Sequence, residues 1–271
     1  MNEWFAFLKK VPLKNARFLA AWPGMGSVAL TVVNYLKDKL DAQFIGELNP
    51  EHYFAPTGAS VSKQMIRPID PPSNRFYYYR PSRRDTGLLF FIGSAQPIPH
   101  REYTFGKLML QALKDLGVKS VFTTAAAPSD MHFRKDSRVF TVPNNHDRLK
   151  QMLEFGVHFM GEGTIAGLNG LLISIAAELN IDGMCLLGEI PFFTAQMEFP
   201  RAALAVLPVL AKLLEVDVDL VDLELFAREK DKEIESLANL LNSHKSDEDN
   251  SLSEQIIPPK QDEIPRSIRL R

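Results

Sequence analysis

Two glycine-bearing turns hold most of the residues that could do chemistry. In the first, Trp22-Pro23-Gly24-Met25-Gly26-Ser27-Val28-Ala29, the small residues Gly24, Gly26 and Ala29 satisfy G-x-G-x-x-A, the spacing of a dinucleotide-binding turn. Backbone N–H groups near Gly26 and Ser27 would lack intrahelical partners at the start of a helix and sit at the positive end of its dipole, which suits an anion. Glu47 ends the next apolar run at the distance expected of an acid that holds a ribose hydroxyl. The same three small residues also meet the steric need of a helix packed closely on a strand. The second turn runs from Gly161 to Gly170 and contains Glu162, Gly163, Gly167 and Asn169. Its backbone could bind phosphate or let a helix pass close to a strand, and Asn169 can present an amide or adopt left-handed geometry. With Gly93, Gln96 and Glu189 at the ends of other apolar runs, the expected cleft comprises Gly24, Met25, Gly26, Ser27, Gly93, Gln96, Gly167, Asn169 and Glu189.

Other constellations offer less. The six histidines, His52, His100, His132, His146, His158 and His244, include no pair at metal-helix spacing, and there is one cysteine, so no metal and no cofactor is expected. His100 and His132 lie beyond strand ends, where a general base could stand. Ser94 follows Gly93, but the surrounding residues are not a nucleophile elbow. Glu162 and Glu189 could act as a carboxylate pair only if the fold brought them together. Tyr77-Tyr78-Tyr79 between Arg75 and Arg80 could stack bases, but without a basic patch a sheet edge or subunit contact is the better reading.

These residues need strands and helices to place them. Phe18–Trp22 reads as a buried strand ended by Pro23-Gly24, and Ala29, Val32, Val33, Leu36 and Leu40 then take helical spacing. Gln43–Leu48, Arg75–Arg80, Leu88–Ile92, Ser120–Thr124, Arg138–Val142 and Met184–Leu187 read as further strands, with an extended piece between Ser60 and Arg67. Helical spacing returns at Phe105–Leu116, stopped by Gly117, at Asp147–Phe155, and at Leu168–Leu179. Pro200 can open another helix, and Pro208 should kink it. Strands alternating with helices imply an α/β fold with a mostly parallel central sheet covered by helices on both faces. Ligands in such folds sit beyond the carboxyl ends of the strands.

The expected domain organisation is one α/β domain over residues 1–241, with a charged helix at 219–241 and a disordered tail at 242–271. That helix carries a thin stripe of Leu223, Phe226, Ile234, Leu237 and Leu241, which would be an exposed patch on a monomer and so a contact between copies. The 271 residues carry a net charge of -2, with 45% hydrophobic and 24% charged residues, so no basic field argues for nucleic acid. No apolar run approaches the roughly 20 residues of a membrane span. Met1-Asn2-Glu3 has an acid where a signal peptide carries lysine or arginine, and the lone Cys185 sits in an apolar run, so a reducing cytoplasmic setting is expected.

The order of several turns is similar to that of the proteasome assembly chaperone family, in its archaeal and bacterial branch. The matching pieces are Trp22-Pro23-Gly24-Met25-Gly26, Asn74-Arg75-Phe76-Tyr77-Tyr78, Gly93-Ser94-Ala95-Gln96-Pro97, Gly167-Leu168-Asn169-Gly170-Leu171-Leu172 and Cys185-Leu186-Leu187-Gly188-Glu189-Ile190-Pro191. The resemblance implies a nucleoside-phosphorylase-like α/β fold with projecting C-terminal helices, a tendency to homo-oligomerise, and no established catalytic residues. Members that act on proteasomes commonly end in a hydrophobic residue, a tyrosine and one more residue, whereas this chain ends Arg269-Leu270-Arg271. The expectation is a non-enzymatic homo-oligomer that binds a protein client. The alternative is a nucleoside- or nucleotide-binding enzyme, or a dinucleotide binder, using the cleft.

Overall fold

The apolar run Arg17–Ala21 forms β1, buried on both faces from Phe18 onward. A computed structural model describes residues 10–48, 53–54, 58–81 and 86–255, with side chains described up to residue 240. On either side of β1 lie β6 (Leu88–Gly93) and β7 (Ser120–Ser129), both parallel to it, and β10 (Asp182–Pro191) extends the parallel block beyond β7. Runs without polar alternation suit such strands, because helices cover both faces. The wings are different. On one side β5 (Asn74–Tyr79) and β2 (Gln43–Glu47) pair antiparallel. On the other, β8 (Val139–Pro143) runs antiparallel to β10, and β9 (His158–Phe159) lies outside it. The order is β2-β5-β6-β1-β7-β10-β8-β9, with a separate two-stranded sheet of β3 (Ser60–Ser62) and β4 (Met65–Arg67).

Side-chain alternation sorts the core into two layers. Phe18, Ala20, Trp22, Phe91, Val121, Cys185 and Leu187 pack in one cluster with α2 (Glu102–Asp115) and α4 (Leu168–Glu178). The intervening Leu19, Ala21, Phe90, Phe122 and Leu186 are also buried, on the side of α1 (Val28–Lys39) and α5 (Pro200–Leu214). Around Phe105 the first layer is aromatic. Tyr53 and Phe54 meet its ring edge-on at 5.3 and 5.6 Å, and Trp22 at 6.4 Å. Such pairs contribute about 0.5–1.5 kcal/mol each beyond area burial.

Pro200 does open α5, and the helix runs through the exposed Pro208 to Leu214. Several expected boundaries shift. The extended piece at Ser60–Arg67 is the β3–β4 hairpin. The short α3 covers only His146–Met152, followed by a 3-10 turn to Phe155. The tyrosine run lies in β5, between β2 and β6, so it is not at a sheet edge.

The C-terminal helix needs larger corrections. The last helix, α6, spans Val221–Gln255 rather than 219–241, so residues 242–255 of the expected tail are helical. No proline or glycine interrupts the chain before Pro258-Pro259, and a charged sequence without breakers can continue a helix. Residues 256–271 lie outside the described ones. The chain divides into two units, Met1–Lys230 and Asp231–Arg271. Within the first, the start of α6 is tied down by the Lys39–Asp222 ion pair, and the Tyr35 hydroxyl donates to the Asp219 carbonyl at 2.8 Å. Leu223, one member of the expected contact stripe, is 2% exposed. Phe226 and Leu237 are half-buried, and the Leu241 side chain lies outside the described ones.

Gly188 sets how closely α5 can lie on β10. A Cβ there would meet the Cβ and carbonyl oxygen of Ala202 at 2.8 Å. Gly188→Ala is therefore expected to lower unfolding free energy by about 1–3 kcal/mol in a urea titration. An unchanged midpoint would mean that α5 can shift outward freely.

Candidate functional site

The parallel block ends at Ala21, Gly93, Ser129 and Pro191, and the sequence-nominated residues lie at or near this edge. Asn169, on the first turn of α4, is 4% exposed. Its Oδ1 accepts from the Trp22 N–H at 3.1 Å, and its Nδ2 donates to the Trp22 carbonyl at 3.2 Å. The side-chain amide thus pairs with β1 just past its end as a neighbouring strand would. The Asn169 carbonyl in turn accepts from the buried Thr123 hydroxyl of β7 at 2.5 Å. Gln96 makes a second bridge. Its Nε2 donates to the Pro23 carbonyl at 2.8 Å, and its Oε1 accepts from the Leu168 N–H at 3.2 Å.

Gly24, Gln96, Gly167 and Asn169 therefore do come together. Gly24 faces the Asn169 amide, and Gly167, at φ 75°, lies against the Gln96 side chain. Gly93 joins them through Trp22, because a Cβ at Gly93 would meet the indole at 2.5 Å. Together they fasten the start of α4 across the end of β1 and onto Thr123 of β7. Two further α4 donors, the N–H groups of Gly170 and Leu171, turn back to the Gly167 carbonyl. The Asn169 and Gln96 amides nominated for a ligand thus hydrogen-bond the backbone at the end of β1 and the start of α4.

Gly26 and Ser27 face elsewhere. Gly26 has φ 64°, donates to the Ala195 carbonyl and accepts from the Phe199 N–H, each at 3.0 Å. The Ser27 N–H donates to the Gly24 carbonyl at 3.1 Å. The donors nominated for an anion are already used, Gly26 on the loop before α5 and Ser27 within its own turn. Met25, between Gly24 and Gly26, is 42% exposed. The dinucleotide reading also loses its acid. Glu47 is on β2, with β5 and β6 between that strand and β1, and it pairs with Arg75 at 3.4 Å.

Glu189 belongs to a different cluster. Only 2% exposed, it accepts from Arg138 Nε at 2.8 Å and Nη2 at 2.5 Å, and from the Ser129 hydroxyl at 2.8 Å. The Arg138 guanidinium hydrogen bonds lead the causes that hold its pKa at about 2, against the opposing effect of burial. Both oxygens are occupied, while Glu162 is exposed on its loop, so the two carboxylates do not work as a pair. Burial likewise pushes the Cys185 thiol up to about 12, which leaves it a small core side chain. His132 stacks on Phe133 and its Nδ1 accepts from the Arg134 N–H, and His100 is exposed. Among the described residues no three His, Cys, Asp or Glu side chains are grouped to hold a metal.

Sequence reasoning missed Thr123, Ser129 and Arg138, because their partners lie 46 to 60 residues away and leave no local spacing signal. It also missed a cleft of 640 Å³ on the outer flank of α4, between that helix, the 160–167 loop and strand β8.

A family model described as the PAC2 family matches residues 18–238. The chain belongs to the PAC2 family. This agrees with the resemblance carried by the order of its turns to proteasome assembly chaperones. An uncharacterised protein of Methanocaldococcus jannaschii is 24% identical over 93% of this chain and 92% of its own. Among solved structures, Pyrococcus furiosus PbaB, an archaeal proteasome activator, superposes with a TM-score of 0.73 at 21% identity, covering 86% of this chain and 97% of its own. Pyrococcus furiosus PbaA, an archaeal homologue of proteasome-assembly chaperone, gives 0.68 at 22% over 93% and 98%. A proteasome-assembly chaperone homologue of Mycobacterium tuberculosis gives 0.68 at 22% over 81% and 94%. At these identities the structural likeness shows the fold of this PAC2 member; the phosphorylase comparison finds no confirmation among them.

Two outcomes follow from the cluster geometry. Asn169→Ala should lower unfolding free energy by about 1–3 kcal/mol, because the Trp22 peptide would lose both its buried partners. Denaturant titration followed by Trp fluorescence checks this, and a neutral result would make the amide a spare group available to a ligand. The Glu189 carboxylate has a folded pKa near 2, below its value in the unfolded chain. Its contribution is therefore present at neutral pH and lost as pH falls from about 5 towards 2. Glu189→Gln should flatten the decline of melting temperature over that window.

Proposed function

We propose that this PAC2 member is a non-enzymatic, homo-oligomeric protein-binding protein of the assembly-chaperone kind, working in the cytoplasm on a protein client. The observation that carries this reading is the employment of the nominated polar groups. Asn169, Gln96, Glu189 and the Gly26 backbone each spend their hydrogen bonds on tying one element of the fold to another. Beside exposed polar residues such as Ser94, Asp130 and His132, the strand-end edge presents exposed apolar side chains, Met25 at 42% and Phe192 at 63%. Side chains of that kind serve protein contact better than proton transfer. Family membership supports the same reading, and the relatives named for proteasome activation or assembly make proteasome subunits the first clients to try. No described helix is long and apolar enough to cross a membrane.

Calorimetry of the purified protein with orthophosphate, adenosine, ATP and NAD should give no saturable heat, and light scattering at micromolar concentration should report more than one chain per particle. Tight nucleotide binding abolished by Gly26→Val, in a variant that still folds, would restore the enzymatic reading. A single-chain particle throughout that range would remove the oligomer.

A further inference from the structure

The β3–β4 hairpin is an exposed arm. It leaves the body between β2 and β5, where the Leu48 N–H meets the Asn74 carbonyl at 2.8 Å, and forms its own two-stranded sheet. All six strand residues are exposed. The cross-strand pair Val61 and Ile66, 73% and 77% exposed, lies on one face, and Met65, 55% exposed, is on the other. Two strands alone are marginal in water, and apolar side chains on both faces gain from cover that the described residues do not provide. From Gly58 to Ile69 the charged residues are Lys63 and Arg67, so the arm is basic.

The missed cleft has the complementary character. Its walls are largely apolar, with Val142, Met160, Ile165 and Leu171 among them, and its charged lining residue is Glu102. Glu162 is exposed between two of the lining glycines. The cleft lies beside β8, and the arm leaves beside β5. Five strand spacings, roughly 24 Å, separate those strands across the sheet. A basic apolar arm on one wing and an acidic apolar cleft on the other are two halves of a head-to-tail contact.

We infer that the β3–β4 arm of one copy occupies the cleft between α4 and β8 of the next. This rests on the self-assembly proposed above and names the surfaces that make it. Such a heterologous contact differs from a two-fold one in a measurable way, because each copy contributes a different surface.

The test uses full-length variants and light scattering at micromolar concentration, with circular dichroism to establish folding. Val61→Glu with Ile66→Glu spoils the arm and keeps the cleft. Ser174→Trp, at an exposed cleft-lining position on α4, fills the cleft and keeps the arm; Ala177→Arg is the second cleft variant if the first misfolds. Each variant alone should fall to the mass of one chain. Mixed in equal amounts, they should recover a two-chain particle, since one intact arm can enter one intact cleft. Glu102→Lys should weaken assembly, and adding Lys63→Glu with Arg67→Glu should restore it. Folded variants that keep the wild-type mass, or a mixture that stays single-chain, would overturn the arm-in-cleft contact while leaving self-assembly standing. A wild type that is itself a single chain would bring down both.

Discussion

The side-chain amide of Asn169, paired both ways with the backbone of Trp22, is the contact on which the strand-end edge depends. β1 lies in the middle of the parallel block, and beyond its last residue the backbone has no neighbouring strand to satisfy it. A buried N–H and carbonyl left open there would each carry a desolvation penalty. An asparagine is well suited to close both, since one planar group offers a donor and an acceptor side by side. Because Asn169 is on the first turn of α4, satisfying β1 also fixes where that helix begins. Thr123 then ties the same turn to β7, and Gln96 ties it to the loop after β6.

The glycines make sense around this contact. Gly93 leaves room for the Trp22 indole, and Gly167 supplies a positive φ where the chain turns into α4 against Gln96. Gly26 also has a positive φ, but it serves a separate seam, the reciprocal hydrogen bonds to the loop before α5. A motif that satisfies phosphate-binding spacing is used here to lock loops together, with its donors directed at carbonyl oxygens of the same chain. Glu189 does the comparable task between β10, β7 and the residue preceding β8, with its charge neutralised by Arg138. The strand-end edge is consequently closed by polar contacts underneath, with Met25 and Phe192 among the side chains exposed above them.

Polar closure at the centre also frees the wings to differ. Antiparallel pairing on both flanks ends the parallel block, and each wing carries its own surface feature, the exposed arm at one and the open cleft at the other. Their charges are opposite, and their positions are at opposite ends of the sheet. The family match over residues 18–238 includes both.

Much of the fold was legible in the residues because local signals produce it. Continuous apolar runs mark strands covered on both faces, Gly117 stops α2, and Pro200 starts α5. The order of the turns also carried the family. What the sequence could not determine is which groups are already spoken for. Glu47 stands at a ribose-binding distance along the chain, yet the strand order puts two strands between it and β1. Gly26 and Ser27 have the right types for an anion turn, yet residues 195 and 199 take up the Gly26 peptide and Gly24 takes up the Ser27 donor. Leu223 looks like part of an open stripe on a helical wheel, yet it is buried in the folded chain. A hydrogen bond or an apolar contact is a pairing, and residue type supplies only one member of it. The other member came from 46 to 147 positions away in the Asn169 and Glu189 clusters, and only the folded chain brings it within reach.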